Sequence, residues 1–570
     1  MTSTNRIPDF TWAQIAVHSL QCTQDTHGPG QTGGARVGRS SGHAPLEGNP
    51  CHEPILHAMI SYPNFRSCLS TRTPLASALA IGLAGLVGLG AASGCGTTQY
   101  SARTTAPPLI PAHIQPVVLD GDTSEWPPGL VVMSDPWWLY LRWKVAGSAQ
   151  TLQASDESLA ILLDLDTNPA TGLRPDTPAV ASQLGIDLEI EFSPPADDSS
   201  GLGKGVRLTE HTASGDRVVS HADLGFSFAP TYAAEWYEGR LSRAQLATIA
   251  SASNLADNTG LISGIFVLYD ATGAVIGSSE PFELTPTKAS LQQPRADVQI
   301  PPKPGKGLRV VSWNMLQGKP MEDPGPFARV LRVLDPDVIL IQEWPSDVRD
   351  ITAWLNASIP LAQGTWHVRT TAGWGVAVAS RFPLEPFAHD ELYVNDQATR
   401  PIRFAGALID TPVGMLAASS VHLKCCGSSG SPEDQTRISE AGAINRSLHE
   451  ALKIEPVSLR IITGDLNLVG SRPPLDVLRN GLDADDSDLA IADARDLGDA
   501  AYITWREDSS SFSPGRLDYA LISDATATIT HAFVLDARIL SDRALRAAGL
   551  DPTDTDASDH LPVVIDITPK

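Results

Sequence analysis

The chain has 570 residues, a formal net charge of −24 and an apolar fraction of 42%. That length exceeds what one ordinary core organises, so two or three domains are expected. The acidic excess excludes a protein that holds nucleic acid by a broad basic face, because counterion release needs many Lys and Arg beside the phosphates, and no stable nucleic-acid partner is expected. It leaves room for a small phosphate-cleaving pocket whose positive charge comes from a bound metal.

Residues 1–58 are rich in Gly, His, Pro and Ser and hold no sustained period. They read as a leader outside the fold: either a mis-called start, with Met59 as the true initiator, or a disordered extension. Residues 59–94 have the order of a secretory signal. Arg66 and Arg72 supply a basic region, an apolar, small-residue run begins near Leu75, and Ala92-Ser93-Gly94 precede Cys95. The ending resembles a bacterial lipobox, although Ala92 stands where Leu is more usual. That resemblance implies cleavage before Cys95, a lipid on its thiol, and export to a bacterial membrane or cell surface. The other reading is a transmembrane anchor, for which the Gly- and Ala-rich run is barely long enough. Residues 95–114 are small, polar and proline-bearing, and read as a tether. Of the six cysteines, cleavage would leave Cys95, Cys425 and Cys426. This is no disulfide scaffold, though export would permit oxidation of the adjacent pair.

Residues 115–287 alternate short apolar runs with turns. "PVVLDGDTSEW", "WWLYLRWKV", "LAILLDLDTNP", "GIDLEIEF" and "GLISGIFVLYD" read as strands, and many strands with few helical periods predict an all-β sandwich. "LDGDTSEWP" followed by "WWLYLRWKV" resembles the family 9 carbohydrate-binding-module-like and DOMON-like sandwiches, which implies a glycan ligand. Trp137, Trp138 and Trp143 could stack on sugar rings, but on strands such residues are more often core. Asp164, Asp166 and Asn168 alternate in "DLDTN" and could offer oxygens to a structural Ca²⁺; an Asx-rich turn is the plainer alternative.

Residues 288–306 carry prolines and charges that favour an extended linker. From 307 to 570 the pattern mixes periods. "LRVVSWNM" and "DVILIQEW" read as strands, "PFARVLRVL" as a helix, and "SPEDQTRISEAGAINRSLHEALK" as a longer helix with Ser431 as its cap and Pro432 in its first turn. "LRIITGDLN", "RLDYALIS", "TITHAFVLD" and "LPVVIDI" follow as strands. The domain is therefore α/β or α+β.

Polar residues that a core would not choose stand at the ends of these strands: Asn314, Glu343, His422, Asp465 with Asn467, Asp518, and Asp559 with His560. So many strand ends bearing carboxylates, amides and imidazoles point to one shared rim. The segments "SWNM", "IQEW", "SVHLK", "GDLN", "RLDY" and "SDHLP" resemble, in order and spelling, the endonuclease/exonuclease/phosphatase superfamily. The resemblance implies a four-layer α-β-β-α sandwich with two mixed β-sheets and a metal-dependent hydrolytic site at one edge.

Phosphate-ester hydrolysis needs a cation on the oxygens and an activated water. Glu343 is the best ligand for Mg²⁺ or Mn²⁺, with Asn314 beside it, and Asp559 could hold a second metal or shape the loop. Asp465 and Asn467, two apart, share a face and would serve the attacking water and the phosphate. His560 would stabilise the transition state or move a proton, with Asp518 fixing its tautomer. His422 stands where the deoxyribonuclease and sphingomyelinase branches carry a rim histidine. Arg403, and less clearly Arg400, could steady a phosphate. The expected protein is an exported, membrane-tethered, Mg²⁺- or Mn²⁺-dependent phosphoesterase acting on extracellular nucleic acid, a phospholipid headgroup or a small phosphorylated metabolite. The rival reading is an envelope glycan-binding protein whose hydrolase-like domain is inert. Oligomeric state is not legible.

Overall fold

Residues 158–164 show how the front domain is built. Leu159, Ile161 and Leu163 face one way and Ala160 and Leu162 the other, the period of two a strand imposes, and both sets are buried. In this computed structural model, which describes residues 115–570 apart from 146–150, 176–177, 180, 196–203, 250–259, 289–294, 372–374, 390 and 396, that strand lies inside a seven-stranded antiparallel sheet. The leader, the signal-like segment with Cys95, and the tether lie outside the described residues.

Facing it is a four-stranded antiparallel sheet of Val132–Ser134, Trp138–Lys144, Trp236–Ser242 and Ser227–Ala229. Trp143 fills the gap between the sheets, its ring centroid 5.5 Å from Phe192 and 6.1 Å from Tyr237. The expected sandwich is present. Two of its three candidate tryptophans are spent on the fold, however, while Trp137 is half-buried: Trp143 is 2% exposed, and Trp138 is buried under the Arg240 guanidinium, 4.0 Å from the ring centroid. Neither presents a bare face to a sugar, and the glycan expectation finds no support at these positions.

In the rear domain the expected helices form at Pro324–Leu334 and Pro432–Ile454. Ser431 Oγ accepts from Asp434 N, satisfying one of the donors a helix start leaves open. Two mixed sheets pack face to face. One runs in space through the strands beginning at His367, Ala377, Val338, Leu308, Val563, Ala527 and Arg495; the other through those beginning at Leu384, Phe404, Gly414, Leu459, Asp518 and Ala490. Leu308 and Val310 face the core between the sheets with Ile461 and Ile565, while Val311 and Trp313 face outward against Phe327 and Ile351. Burial on both faces explains why these strands read as unbroken apolar runs. Helices 324–334, 348–358 and 542–548 cover the first sheet; 432–454 and 473–479 cover the second. This is the four-layer arrangement the resemblance implies. Among the described residues no helix is long and apolar enough to cross a membrane.

The two domains are joined along a buried, hydrogen-bonded seam. Arg240 of the sandwich forks onto Asp499 of the rear domain at 2.9 and 2.6 Å, both side chains buried. Ala233 N donates to Gly470 O, Leu119 N to Ala500 O, and Val206 N to Ser511 O. Part of the segment expected to be an extended linker also packs down: Ala296 bridges to Leu540, and Pro301 O accepts from Arg309.

Candidate active site

Strand register explains the convergence of the rim residues. Leu308–Asn314 runs parallel to Val338–Gln342 with Asn314 opposite Gln342, so Glu343 emerges one residue beyond. In the other sheet, parallel pairing sets His422 opposite Asp465, and antiparallel pairing sets Asp465 opposite Asp518. The last strand, antiparallel to Leu308–Asn314, brings His560 to the same edge. Residues up to 246 positions apart thus share one rim.

The contacts there are short. Asn314 Nδ2 donates to Glu343 Oε1 at 3.1 Å and to Asp465 Oδ2 at 3.3 Å. His422 Nε2 stands 3.4 Å from Asp465 Oδ2 and 3.7 Å from Glu343 Oε1. His560 Nε2 lies 3.7 Å from the same Asp465 oxygen, while its Nδ1 pairs with Asp518 Oδ2 at 2.8 Å. Asn467 donates its backbone N–H to Asp465 Oδ1 and its side-chain amide to Leu423 O. Glu343 and Asn467 adopt left-handed backbone angles, φ 55° and 48°, a cost that persists only where surroundings enforce it and that gathers at functional sites. Glu343 is held there through Gln317 N, which donates to its Oε2.

These groups open on a cavity of about 310 Å³. Asp559 lines it with its Oδ2 accepting from Trp505 Nε1 at 2.9 Å, and is not a member of the Glu343, His422 and Asp465 grouping. Arg403 also lines it, with Nη2 anchored on Leu423 O; Arg400 is exposed and outside the lining. The thiols Cys425 and Cys426 sit on the rim, sulfurs 2.8 Å apart. Trp505, Phe512 and Leu517 line the cavity as well, as do Gln153 and Thr231 of the front sandwich. The sequence carries no signal for these, since no period or spacing links them to the rim.

Electrostatics divide the two histidines. Burial strips water from His422 and lowers its pKa well below the usual value, with Arg403 and His560 adding repulsion, so its imidazole is neutral. Burial opposes the charge on His560 too, but Asp518 and then Asp465 overcome it and raise the group to about 10. Asp465, buried beside Asp518 and Glu343, is pushed up to about 7 even though His560 pulls it down.

The donor set suits a hard divalent cation. Oxygens of Glu343 and Asp465 face one another across Asn314, and ligand atoms of Glu343, His422 and Asp465 lie within 4.8 Å of each other. Carboxylate repulsion is among the reasons the Asp465 pKa rises, and a cation would offset it. In the front sandwich the residues of the Ca²⁺ expectation lie at one turn. Asp164 and Asp166 meet Asp187 within 4.8 Å, whereas Asn168 is exposed and caps its own turn through Ala170 N.

Residues 311–560 match the profile of the Endonuclease/Exonuclease/phosphatase family. No curated protein matches the chain. Among solved structures, an endonuclease/exonuclease/phosphatase from Bacteroides vulgatus is similar at 12% identity over 46% of this chain and 99% of its own, with a TM-score of 0.32. Sphingomyelinase C from Streptomyces griseocarneus is similar at 18% identity over 46% and 99%, TM-score 0.31. Truncated TDP2 from Caenorhabditis elegans is similar at 17% identity over 46% and 98%, TM-score 0.30.

Proposed function

Since residues 311–560 belong to the Endonuclease/Exonuclease/phosphatase family, we propose that the chain is a metal-dependent phosphoesterase that cleaves a phosphodiester or phosphomonoester by in-line attack of water. The observation that carries this reading is the meeting of Asn314, Glu343, His422, Asp465 and His560 within hydrogen-bonding or ion-pair range at one cavity. Glu343, with Asn314 and Asp465, would hold Mg²⁺ or Mn²⁺. When bound, the ion neutralises phosphate charge and polarises the ester.

The protein's own groups supply the rest. Asp465, whose Oδ2 lies 3.7 Å from His560 Nε2 and 3.4 Å from His422 Nε2, is placed to orient water and take its proton. His560, kept cationic by Asp518, offers Nε2–H to the oxygens that gain charge in the transition state. Asn467 fixes Asp465 through its backbone N–H and leaves one amide hydrogen for a phosphate oxygen. Neutral His422 serves as a hydrogen-bonding partner in the same wall.

Hydrolysis of bis-p-nitrophenyl phosphate, sphingomyelin, inositol phosphates, RNA and DNA, with Mg²⁺ or Mn²⁺ and then with EDTA, tests the reading. Metal-dependent turnover of at least one substrate is expected, and Glu343→Gln should abolish it with the fold intact, as circular dichroism checks. An equally active Glu343→Gln would remove the metal assignment.

Two further parts belong to the proposal. Export and lipidation at Cys95 rest on the order of residues 59–95, and membrane fractionation of wild type against Cys95→Ser tests them: release of the variant is expected, unchanged membrane association contradicts. A structural Ca²⁺ is proposed at Asp164, Asp166 and Asp187. Asp164 is 2% exposed and its Oδ1 has no hydrogen-bond partner, which an ion would supply.

A further inference from the structure

The rear domain does not close its own active site. Thr151, Gln153, Ala154 and Thr231 of the front sandwich line the same cavity as Glu343 and His560. Each polar member of this wall is tied across the seam. Thr151 Oγ1 donates to Gly470 O and accepts from Ser429 N, both at 3.1 Å. Gln153 Oε1 accepts from Ser513 N at 2.7 Å, and Thr231 Oγ1 reaches Leu468 O at 2.8 Å and Arg516 O at 3.1 Å. Gly515 admits this approach: a Cβ there would come within 2.3 Å of the Thr231 methyl. The loop between Trp505 and Leu517 is therefore clamped from the sandwich side, and it carries Phe512 into the cavity.

We propose that the front sandwich is a specificity wall of the active site, restricting the enzyme to compact phosphoesters that carry one phosphate beside a small neutral or apolar group. This rests on the phosphoesterase reading above. The cavity, about 310 Å³, is at the small end of ligand pockets. It suits a single headgroup-sized ester, not a duplex whose major groove alone is ~12 Å wide. The lining argues the same way. Among the described lining residues Arg403 is the one Lys or Arg, whereas a nucleic-acid path needs cations along several successive phosphates. The same lining includes uncharged Gln153, Ala154 and Thr231 and apolar Val469 and Phe512, surfaces fitted to the uncharged part of a small ester. The half-buried Ala154 makes room where a larger side chain would enter the cavity.

The full chain with Mg²⁺ or Mn²⁺ should be assayed on p-nitrophenyl phosphate, bis-p-nitrophenyl phosphate, and a 20-base-pair DNA duplex, alongside Ala154→Trp. Misplacing the scissile bond by steric exclusion gives an expected kcat/KM on the duplex ~100-fold below the better small ester, per phosphodiester. Ala154→Trp should cut kcat/KM on the better small ester by about tenfold, as lost fit in a pocket does, with unaltered metal dependence. Duplex cleavage within tenfold of the small esters overturns the wall as a size filter while leaving the phosphoesterase reading in place. An Ala154→Trp enzyme with unchanged small-ester kinetics overturns the sandwich's part in selection. Should the variant not fold, the wild-type comparison still decides between compact ester and duplex. Absence of metal-dependent hydrolysis of any substrate overturns the phosphoesterase reading and the wall with it.

Discussion

The charge on His560 sits where burial alone would remove it, and Asp518 keeps it there. A histidine has an ordinary pKa near 6.5, and this one is raised to about 10. The stability that the pairing gives is therefore complete below about pH 6.5 and is lost as pH climbs through about 10. The same sign would govern the proposed reaction, in which the cationic form serves the transition state. Asp518→Asn removes the strongest force raising His560 and should draw the alkaline limb of the kcat/KM profile down toward neutrality. A pH–rate profile unmoved on its alkaline side would show that another group sets that limb. Asp465 behaves in the opposite chemical sense, as a carboxyl whose raised pKa makes ionisation costly in the fold. Because a cation would relieve that cost, its residue-level role and the metal's are inseparable.

At the scale of elements, register does most of the positioning. Four strand pairings bring Asn314, His422, Asp465 and Asp518 to one edge, with Glu343 one residue beyond its strand, and rigid strands hold catalytic geometry better than loops do. The loop after Ser158–Asp164 shows the same economy of design in the front domain, where Asp187 at the head of the neighbouring strand completes a set begun by Asp164 and Asp166. Adding Ca²⁺ should raise the melting temperature of the chain, and Asp164→Asn should remove that increment; equal Ca²⁺ responses of the two proteins would refute the site. The strand-end motifs were readable because each couples an apolar run to a polar stop. Asp187 was not, since within "GIDLEIEF" it looks like one more alternating polar residue, and only its pairing across to Leu163 brings it to the turn. The same holds for Trp143, whose strand pattern fits a sugar platform and a core equally until the second sheet is in place.

For the whole molecule, the seam matters more than either domain's interior. Sequence reading separates the chain at a proline-bearing stretch and treats the halves as independent modules. What it cannot contain is the fork of Arg240 onto Asp499, residues 259 positions apart, or the approach of Thr231 to Gly515. Neither leaves a local pattern. Removing one partner of a buried ion pair strands the other charge and costs about 3–5 kcal/mol. Asp499→Ala should therefore lower stability by about that amount in denaturant unfolding and weaken activity, although Asp499 does not line the catalytic cavity. A loss below about 1 kcal/mol, the range of an exposed pair, would mean that the domains are only loosely associated.

Beneath each of these scales lies one proposal, a shared ion-binding rim. Crystals of the chain soaked in Mn²⁺ and measured at the manganese absorption edge test it most directly. An anomalous peak is expected ~2.1 Å from a Glu343 carboxylate oxygen, on the side facing Asn314 and Asp465. A peak lying only elsewhere, or none at saturating Mn²⁺, would contradict a metal-dependent hydrolytic site.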